Sequence, residues 1–112
     1  MTVIDVVEKF GLKIFCGNKG LANEVSGAYV SDLLSDVMGN AREEQIWITL
    51  QTHQNVMAIA SLKDLAAVIL VNGFEPDPDT LEAGNREGIP VLGTNLTTFE
   101  MAGLLYNKLS EE

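Results

Sequence analysis

The stretch that decides the fold is residues 46–73, IWITLQTHQNVMAIASLKDLAAVILVNG. Its two apolar runs, 46–50 and 66–71, contain no charged residue, which is typical of strands buried on both faces of a parallel sheet. Between them a polar link leads into 56–65, where apolar residues recur at helical spacing behind Thr52, the predicted N-cap. A strand–helix–strand unit with so short a link predicts a right-handed crossover between parallel strands.

Three further helices are predicted from their first turns. The stretches 2–5 and 97–100 match capping boxes, and Asp77-Pro78 pairs an N-cap residue with a proline at the first helical position. The residues expected on the inner side of the last helix are Met101, Leu104, Leu105 and Leu109. Segment 31–38 is compatible with either a short helix or irregular structure.

Short apolar runs at 12–16, 25–30 and 89–92 are predicted to form the remaining strands. Because strands and helices alternate from Trp47 onward, the predicted fold class is α/β, with a mostly parallel central sheet and helices on both faces. The length of the chain suits a single domain that spans residues 1–112.

The charge limits the partners that we expect, and the cysteine content indicates the location. The chain has a net charge of −9 and no cluster of Lys or Arg, so we expect neither nucleic acid nor an anionic membrane surface as a partner. Lys63-Asp64 interrupts the longest apolar region, and Asp5 and Glu8 interrupt the first apolar stretch, so neither a membrane span nor a signal peptide is predicted. With Cys16 as the one cysteine, the expected location is cytoplasmic.

Polar residues follow three of the predicted strands, and strand ends of parallel sheets are where such folds bind ligands. The predicted ligand-binding residues are Gln51, Thr52, His53, Asn55, Asn72, Gly73, Thr94 and Asn95. Two of these segments lead into helix N-termini with free backbone donors, which suits a small molecule that carries an anionic group. Taken one by one, the same residues are more typical of turns and caps, and only their clustering favours a site.

The sequence predicts no catalytic residue and no metal site. One histidine and one cysteine, far apart in the chain, do not have the spacing of metal ligands. Cys16 is expected to be a buried apolar residue rather than a nucleophile. His53 is expected either to act as a neutral donor and acceptor beside a helix N-terminus or to be a surface residue. Neither Gly-x-x-x-x-Gly-Lys-Ser/Thr nor Gly-x-Gly-x-x-Gly occurs, which disfavours a kinase or a dehydrogenase and leaves the cofactor unknown.

The stretches 25–38, 47–55, 72–76 and 88–92, in this order and spacing, resemble the DRTGG domain family, and in particular its small stand-alone branch. The resemblance implies a fold similar to the N-terminal domain of HPr kinase, without the kinase loop. It also implies a regulatory or ligand-binding domain without catalysis, which senses a nucleotide or another small metabolite and forms a homodimer.

The chain departs from the family at the two segments that name it. Where the family has Gly-Asp-Arg, this chain has Gln51-Thr52-His53, and where the family has Thr-Gly-Gly, this chain has Asn72-Gly73-Phe74. Only Gly73 keeps the family's residue type, so the charged anchor of the family pattern is missing. An alternative hypothesis is therefore a protein-interaction module that docks a larger redox-linked or hydrogenase-linked enzyme, or a sensor kinase, without a small ligand.

Overall fold

A computed structural model describes residues 1–111 and contains five α-helices, one short 3₁₀ helix (Asn18–Gly20) and five strands in that range. The helices are α1 (Val3–Phe10), α2 (Leu34–Asn40), α3 (Asn55–Leu62), α4 (Pro78–Glu87) and α5 (Thr98–Ser110). The strands are β1 (Lys13–Cys16), β2 (Gly27–Val30), β3 (Gln45–Thr49), β4 (Ala67–Leu70) and β5 (Val91–Gly93). Glu112, the last residue of the predicted domain, lies outside the described residues.

The five strands form one sheet in the order β1-β5-β4-β3-β2. The neighbours β2–β3, β3–β4 and β4–β5 are parallel, and β1 pairs with β5 in the antiparallel direction. The stretch 46–73 therefore supplies two of the three interior strands, β3 and β4, together with the helix between them. This arrangement confirms the predicted α/β class and the mostly parallel sheet.

Helices cover both faces of the sheet, as predicted. The side chains of β3 alternate, so that Ile46 and Ile48 pack with Val3 of α1 and Met101 of α5, whereas Trp47 packs on the other face with α2, α3 and α4. All of these side chains are fully buried, and burying one large apolar side chain contributes roughly 1.5–3 kcal/mol. No helix within residues 1–111 is long and apolar enough to cross a membrane.

Both predicted capping boxes are confirmed. At the start of α1, the Asp5 carboxylate accepts the backbone N–H of Thr2 at 2.9 Å. At the start of α5, Thr97 and Glu100 each accept the backbone N–H of the other residue, at 3.2 Å and 2.9 Å. α4 begins at Pro78, the first helical position predicted for it. These helix starts are local devices, which explains why the sequence alone was sufficient to locate them.

The predicted N-cap of α3 is wrong. Gln54 is the N-cap, and Thr52 lies two residues upstream in the loop. An N-cap residue normally has an extended backbone, but Gln54 is already helical (φ −59°, ψ −19°), so its side chain makes no capping hydrogen bond. The His53 ring makes a capping hydrogen bond instead, because its Nδ1 accepts the backbone N–H of Asn55 at 3.1 Å. α3 also ends at Leu62, earlier than its periodic pattern predicted.

Two further segments refine the predictions. Residues 34–40 form the short helix α2, preceded by a turn in which the Ser31 hydroxyl accepts the backbone N–H of Leu33 at 3.1 Å. In α5, Met101 and Leu105 are fully buried, but Leu104 is 42% exposed, which contradicts its predicted inward position. The buried stripe runs through Met101 and Leu105, and the partly buried Ala102 and Leu109 extend it on the side away from Leu104.

Candidate functional site

The four parallel strands end at the same side of the sheet, which we name the carboxyl edge: loops 31–33, 50–54, 71–77 and 94–97. Because β1 is antiparallel, its amino end reaches this edge as well, and Lys13 pairs there with Gly93. Open α/β sheets bind ligands outside the carboxyl ends of their strands. All eight predicted site residues lie in the loops of this edge or at the first residue of α3.

The loops after β4 and β5 are hydrogen-bonded to each other. The backbone N–H of Asn72 donates to Leu96 at 2.8 Å, and that of Gly73 donates to Thr94 at 2.9 Å. Asn72 (φ 59°) and Gly73 (φ 74°) both have left-handed backbones, which Asn and Gly adopt more readily than other residues. The two N–H groups are therefore used within the fold, so a ligand here would depend on side chains.

Gly73, Thr94 and Asn95 line one depression together with Lys13, Phe15, Phe74 and Glu75, and we name it the β4–β5 depression. Its volume is about 480 Å³. A Cβ atom on Gly73 would lie 3.0 Å from the Asn95 amide oxygen, so the two residues are in close contact. This depression is the place where the structure brings predicted site residues together with a cation and aromatic rings.

Lys13 and Phe15 form one wall of the depression. The Lys13 ammonium lies 4.8 Å from the centroid of the Phe15 ring, within the range of a cation–π interaction. A Cβ atom on Gly93 would lie 2.4 Å from the same ring, so only glycine allows Phe15 to cover the end of β5. Neither residue belonged to the predicted set, because nothing local indicated that β1 would run antiparallel.

The remaining predicted residues do not line that depression. Asn72 lies in the loop after β4, Gln51, Thr52 and His53 lie in the loop between β3 and α3, and Asn55 is the first residue of α3. The Thr52 carbonyl accepts hydrogen bonds from the backbone N–H of Asp77 at 3.1 Å and from the Thr80 hydroxyl at 2.7 Å. These bonds tie the loop to the start of α4. His53 is exposed, and Asn55 borders a separate hollow between α3 and α4. The predicted set therefore forms two adjacent groups rather than one pocket.

Asp32 connects the first loop of the carboxyl edge to the second. Its Oδ1 accepts hydrogen bonds from the Thr49 hydroxyl and from the backbone N–H of Leu50, both at 2.8 Å. The side-chain amide of Gln51 donates to the backbone carbonyl of Asp32 at 2.8 Å. Asp32 was absent from the predicted set, although its position just after an apolar strand was a usable signal.

The pKa shifts of two ionisable groups near the sheet have structural causes, namely burial and hydrogen bonds within the fold. Burial raises the pKa of the Cys16 thiol, opposed by a weaker backbone hydrogen bond from Val91, so the thiolate form is disfavoured. Hydrogen bonds from Ser31 first, and then from Tyr29, lower the pKa of Asp36. Within residues 1–111, no group of three or more His, Cys, Asp or Glu side chains is placed to hold a metal ion.

Comparison with protein families and with known proteins places this geometry in context. The family model for the DRTGG domain matches residues 5–107 of the sequence. The HPr kinase/phosphorylase of Halalkalibacterium halodurans is 23% identical over 127 aligned residues, which cover all of this chain but 41% of that protein.

A similar solved structure comprises the CBS and DRTGG domains of the regulatory region of Clostridium perfringens pyrophosphatase, in complex with the activator diadenosine tetraphosphate. It superposes with a TM-score of 0.73 at 13% identity, over 93% of this chain and 45% of that one. This likeness shows a shared fold, and the chain spans less than half the length of either relative. Since the family model spans nearly the whole sequence, the chain belongs to the DRTGG domain family.

Proposed function

We propose that this chain is a non-catalytic regulatory domain that binds a small metabolite of the nucleotide class at its carboxyl edge. The observation that carries the proposal is the β4–β5 depression, where Lys13 stands beside Gly73, Thr94 and Asn95. The proposed ligand-binding residues are these four together with the predicted loop residues Gln51, Thr52, His53, Asn55 and Asn72. The first group lines the depression, and the second group lies in the neighbouring loops of the carboxyl edge and at the start of α3.

The side chains of the depression suggest the chemistry of the ligand. Phe15 is half-buried and Phe74 is 46% exposed, so a planar base could stack on an aromatic ring. The Thr94 hydroxyl and the Asn95 amide offer donors and acceptors for base or sugar groups. Lys13 supplies one positive charge, and Glu75 supplies one carboxylate at the rim.

This charge balance favours a ligand with one phosphate over a polyphosphate. A single ammonium can pair with one phosphate group, whereas further phosphates would meet Glu75 and the field of a chain with a net charge of −9. We therefore propose a nucleoside monophosphate as the ligand class. The regulatory region of the Clostridium perfringens protein binds diadenosine tetraphosphate, so adenine nucleotides are the first compounds to test.

The proposal extends to the assembly and location of the domain. We propose a homodimer, the state that the resemblance implies, in a reducing cytoplasmic compartment. The free and buried Cys16 supports the location, because secreted domains of this size commonly use their cysteines in disulfides.

The test is a thermal-shift series with adenosine, AMP, GMP, ATP and diadenosine tetraphosphate, followed by calorimetry. A ligand at about one hundred times its dissociation constant stabilises the folded state by about 2.7 kcal/mol. We expect Lys13→Gln to weaken AMP binding at least tenfold and adenosine binding little. Lys63→Gln, on the α3–β4 connection at the opposite edge, is the matched control. A flat response to every compound would overturn the proposal and favour the interaction module.

A further inference from the structure

The side of α5 next to β2 borders an uncharged groove and carries two exposed aromatic rings. We name this side the α5 face; it consists of Phe99, the half-buried Ala102, Gly103, Tyr106, Asn107 and Ser110. Phe99 is 87% exposed and Tyr106 is 72% exposed. Val30, at the end of the edge strand β2, lies beside this face and is 46% exposed. Two exposed aromatic rings on one helix form a larger apolar patch than scattered single residues do.

Gly103 has no evident role within the fold. It lies in the middle of α5, and a Cβ atom built on it would meet nothing within 4 Å. Glycine in a helix interior costs roughly 1 kcal/mol relative to alanine. At Gly84 of α4 that cost has a reason, because a Cβ atom there would lie 2.5 Å from Cys16 Sγ. The bare backbone at Gly103 instead suits the close approach of a second molecule.

The aromatic rings flank this glycine. Phe99 precedes Gly103 by four residues and Tyr106 follows it by three, which places all three on one side of the helix. If a second α5 crosses at Gly103 in the antiparallel direction, Phe99 of each copy lies near Tyr106 of the other. Such a contact is isologous, which is the arrangement that a two-fold symmetric dimer requires.

The charge distribution favours a second copy of the chain over a charged partner. The residues that line the groove between the α5 face and β2 include no Asp, Glu, Lys or Arg, although the chain has a net charge of −9. Two acidic molecules repel each other, so they associate most readily through surfaces without charge. A basic partner would instead be expected to dock on acidic residues.

The available area is compatible with a stable contact. Aromatic side chains bury roughly 150–250 Å² each, and a two-fold contact would bury four rings, two Phe99 and two Tyr106. Stable interfaces bury roughly 1,200–2,000 Å² in total. The four rings would supply roughly half of that area, and the other residues of the groove, including Val30, would lie in the same contact.

We infer that the α5 face is the surface through which two copies of this chain associate, with their α5 helices crossing at Gly103. The inference rests on the proposed homodimer and does not depend on the ligand. It assigns the interface to one helix, and it leaves the carboxyl edge free for binding.

The first test is sedimentation velocity of the whole chain over a range of concentrations. We expect the wild type to dimerise, and Phe99→Glu and Tyr106→Glu each to raise the dissociation constant of the dimer at least tenfold. Leu104→Glu is the matched control, since Leu104 is an exposed leucine on the same helix that does not line the groove. A wild-type dimer that survives both aromatic substitutions would overturn this surface while leaving the homodimer intact. A monomeric wild type would overturn both.

The second test uses Gly103→Ala, which should have opposite effects on the stability of the monomer and on the affinity of the dimer. Gly103→Ala should stabilise the helix of the monomer, because alanine is the better helix former and has room, yet it should weaken the dimer severalfold by adding a Cβ atom at the crossing. Gly39→Ala in α2 is the control, because a Cβ atom there also meets nothing within 4 Å, and it should leave dimerisation unchanged. An unchanged dimer dissociation constant for Gly103→Ala would overturn the crossing point.

Discussion

The Asp32 carboxylate accepts a hydrogen bond from the Thr49 hydroxyl at 2.8 Å, and the same oxygen accepts the backbone N–H of Leu50 at 2.8 Å. Thr49 is only 1% exposed, so its hydroxyl depends on partners within the protein. Asp32 thus joins the loop after β2 to the end of β3, and it helps to hold the β3–α3 loop where the proposed ligand would bind.

Asp32→Ala should therefore lower the free energy of unfolding by about 1–3 kcal/mol, because a buried hydroxyl and a backbone donor lose their acceptor. Asp32→Asn keeps an acceptor oxygen and should cost clearly less. Urea unfolding of the two variants and the wild type measures both effects. Equal losses in the two variants would mean that the negative charge matters here, rather than the hydrogen bonds.

The His53 ring has two separable roles, one observed and one proposed. His53→Ala should cost about 0.5–1 kcal/mol of stability, because the hydrogen bond from Asn55 N–H to Nδ1 is lost. His53→Asn should keep that cap, since Asn readily accepts a backbone N–H two residues on. If His53 also contacts the ligand, both variants should bind it more weakly, as calorimetry would show. Wild-type affinity in both variants would remove His53 from the site.

The contact between Gly84 and Cys16 predicts a substitution whose effect has the opposite sign to the usual one. Alanine normally stabilises a helix relative to glycine, but here its Cβ atom would lie 2.5 Å from Cys16 Sγ. Gly84→Ala should therefore destabilise the protein by about 1–3 kcal/mol through overpacking. Cys16→Ala combined with Gly84→Ala should recover about 1 kcal/mol of that loss, as a double-mutant cycle measures. Strictly additive effects would show that the two residues do not compete for space.

Acid should weaken the start of α5. The Thr97 backbone N–H, and then its hydroxyl, lower the pKa of Glu100 in the folded state. A lowered folded-state pKa means that the ionised carboxylate adds stability above its usual pKa of 4.5, and that this stability is lost as the pH falls through the folded-state value. The difference in thermal midpoint between the wild type and Glu100→Gln should narrow from pH 7 to pH 3. Glu82→Gln, on the exposed side of α4, is the control for lost charge. A difference that stays constant over this range would contradict the capping role.

Much of the fold follows from short-range patterns. Trp47 and its neighbours in β3, and the apolar run of β4, indicated buried parallel strands, since a strand covered on both faces needs no polar alternation. Thr97 and Glu100 located the start of α5, because a capping box requires only residues three apart. The predicted N-cap of α3 was wrong because Gln54, with a helical backbone, occupies that position. Gln is not one of the usual N-cap residues Ser, Thr, Asp and Asn, so the sequence pattern did not indicate it.

The sequence by itself determined the fold class, the helix starts and the group of loops in which a ligand site could lie. Only the tertiary structure decided which of those loop residues share a depression, namely Gly73, Thr94 and Asn95. It also brought Lys13 to them, because β1 pairs antiparallel with β5 at the edge of the sheet. Strand direction at an edge depends on contacts between residues far apart in the chain, and no local pattern of side chains encodes those contacts.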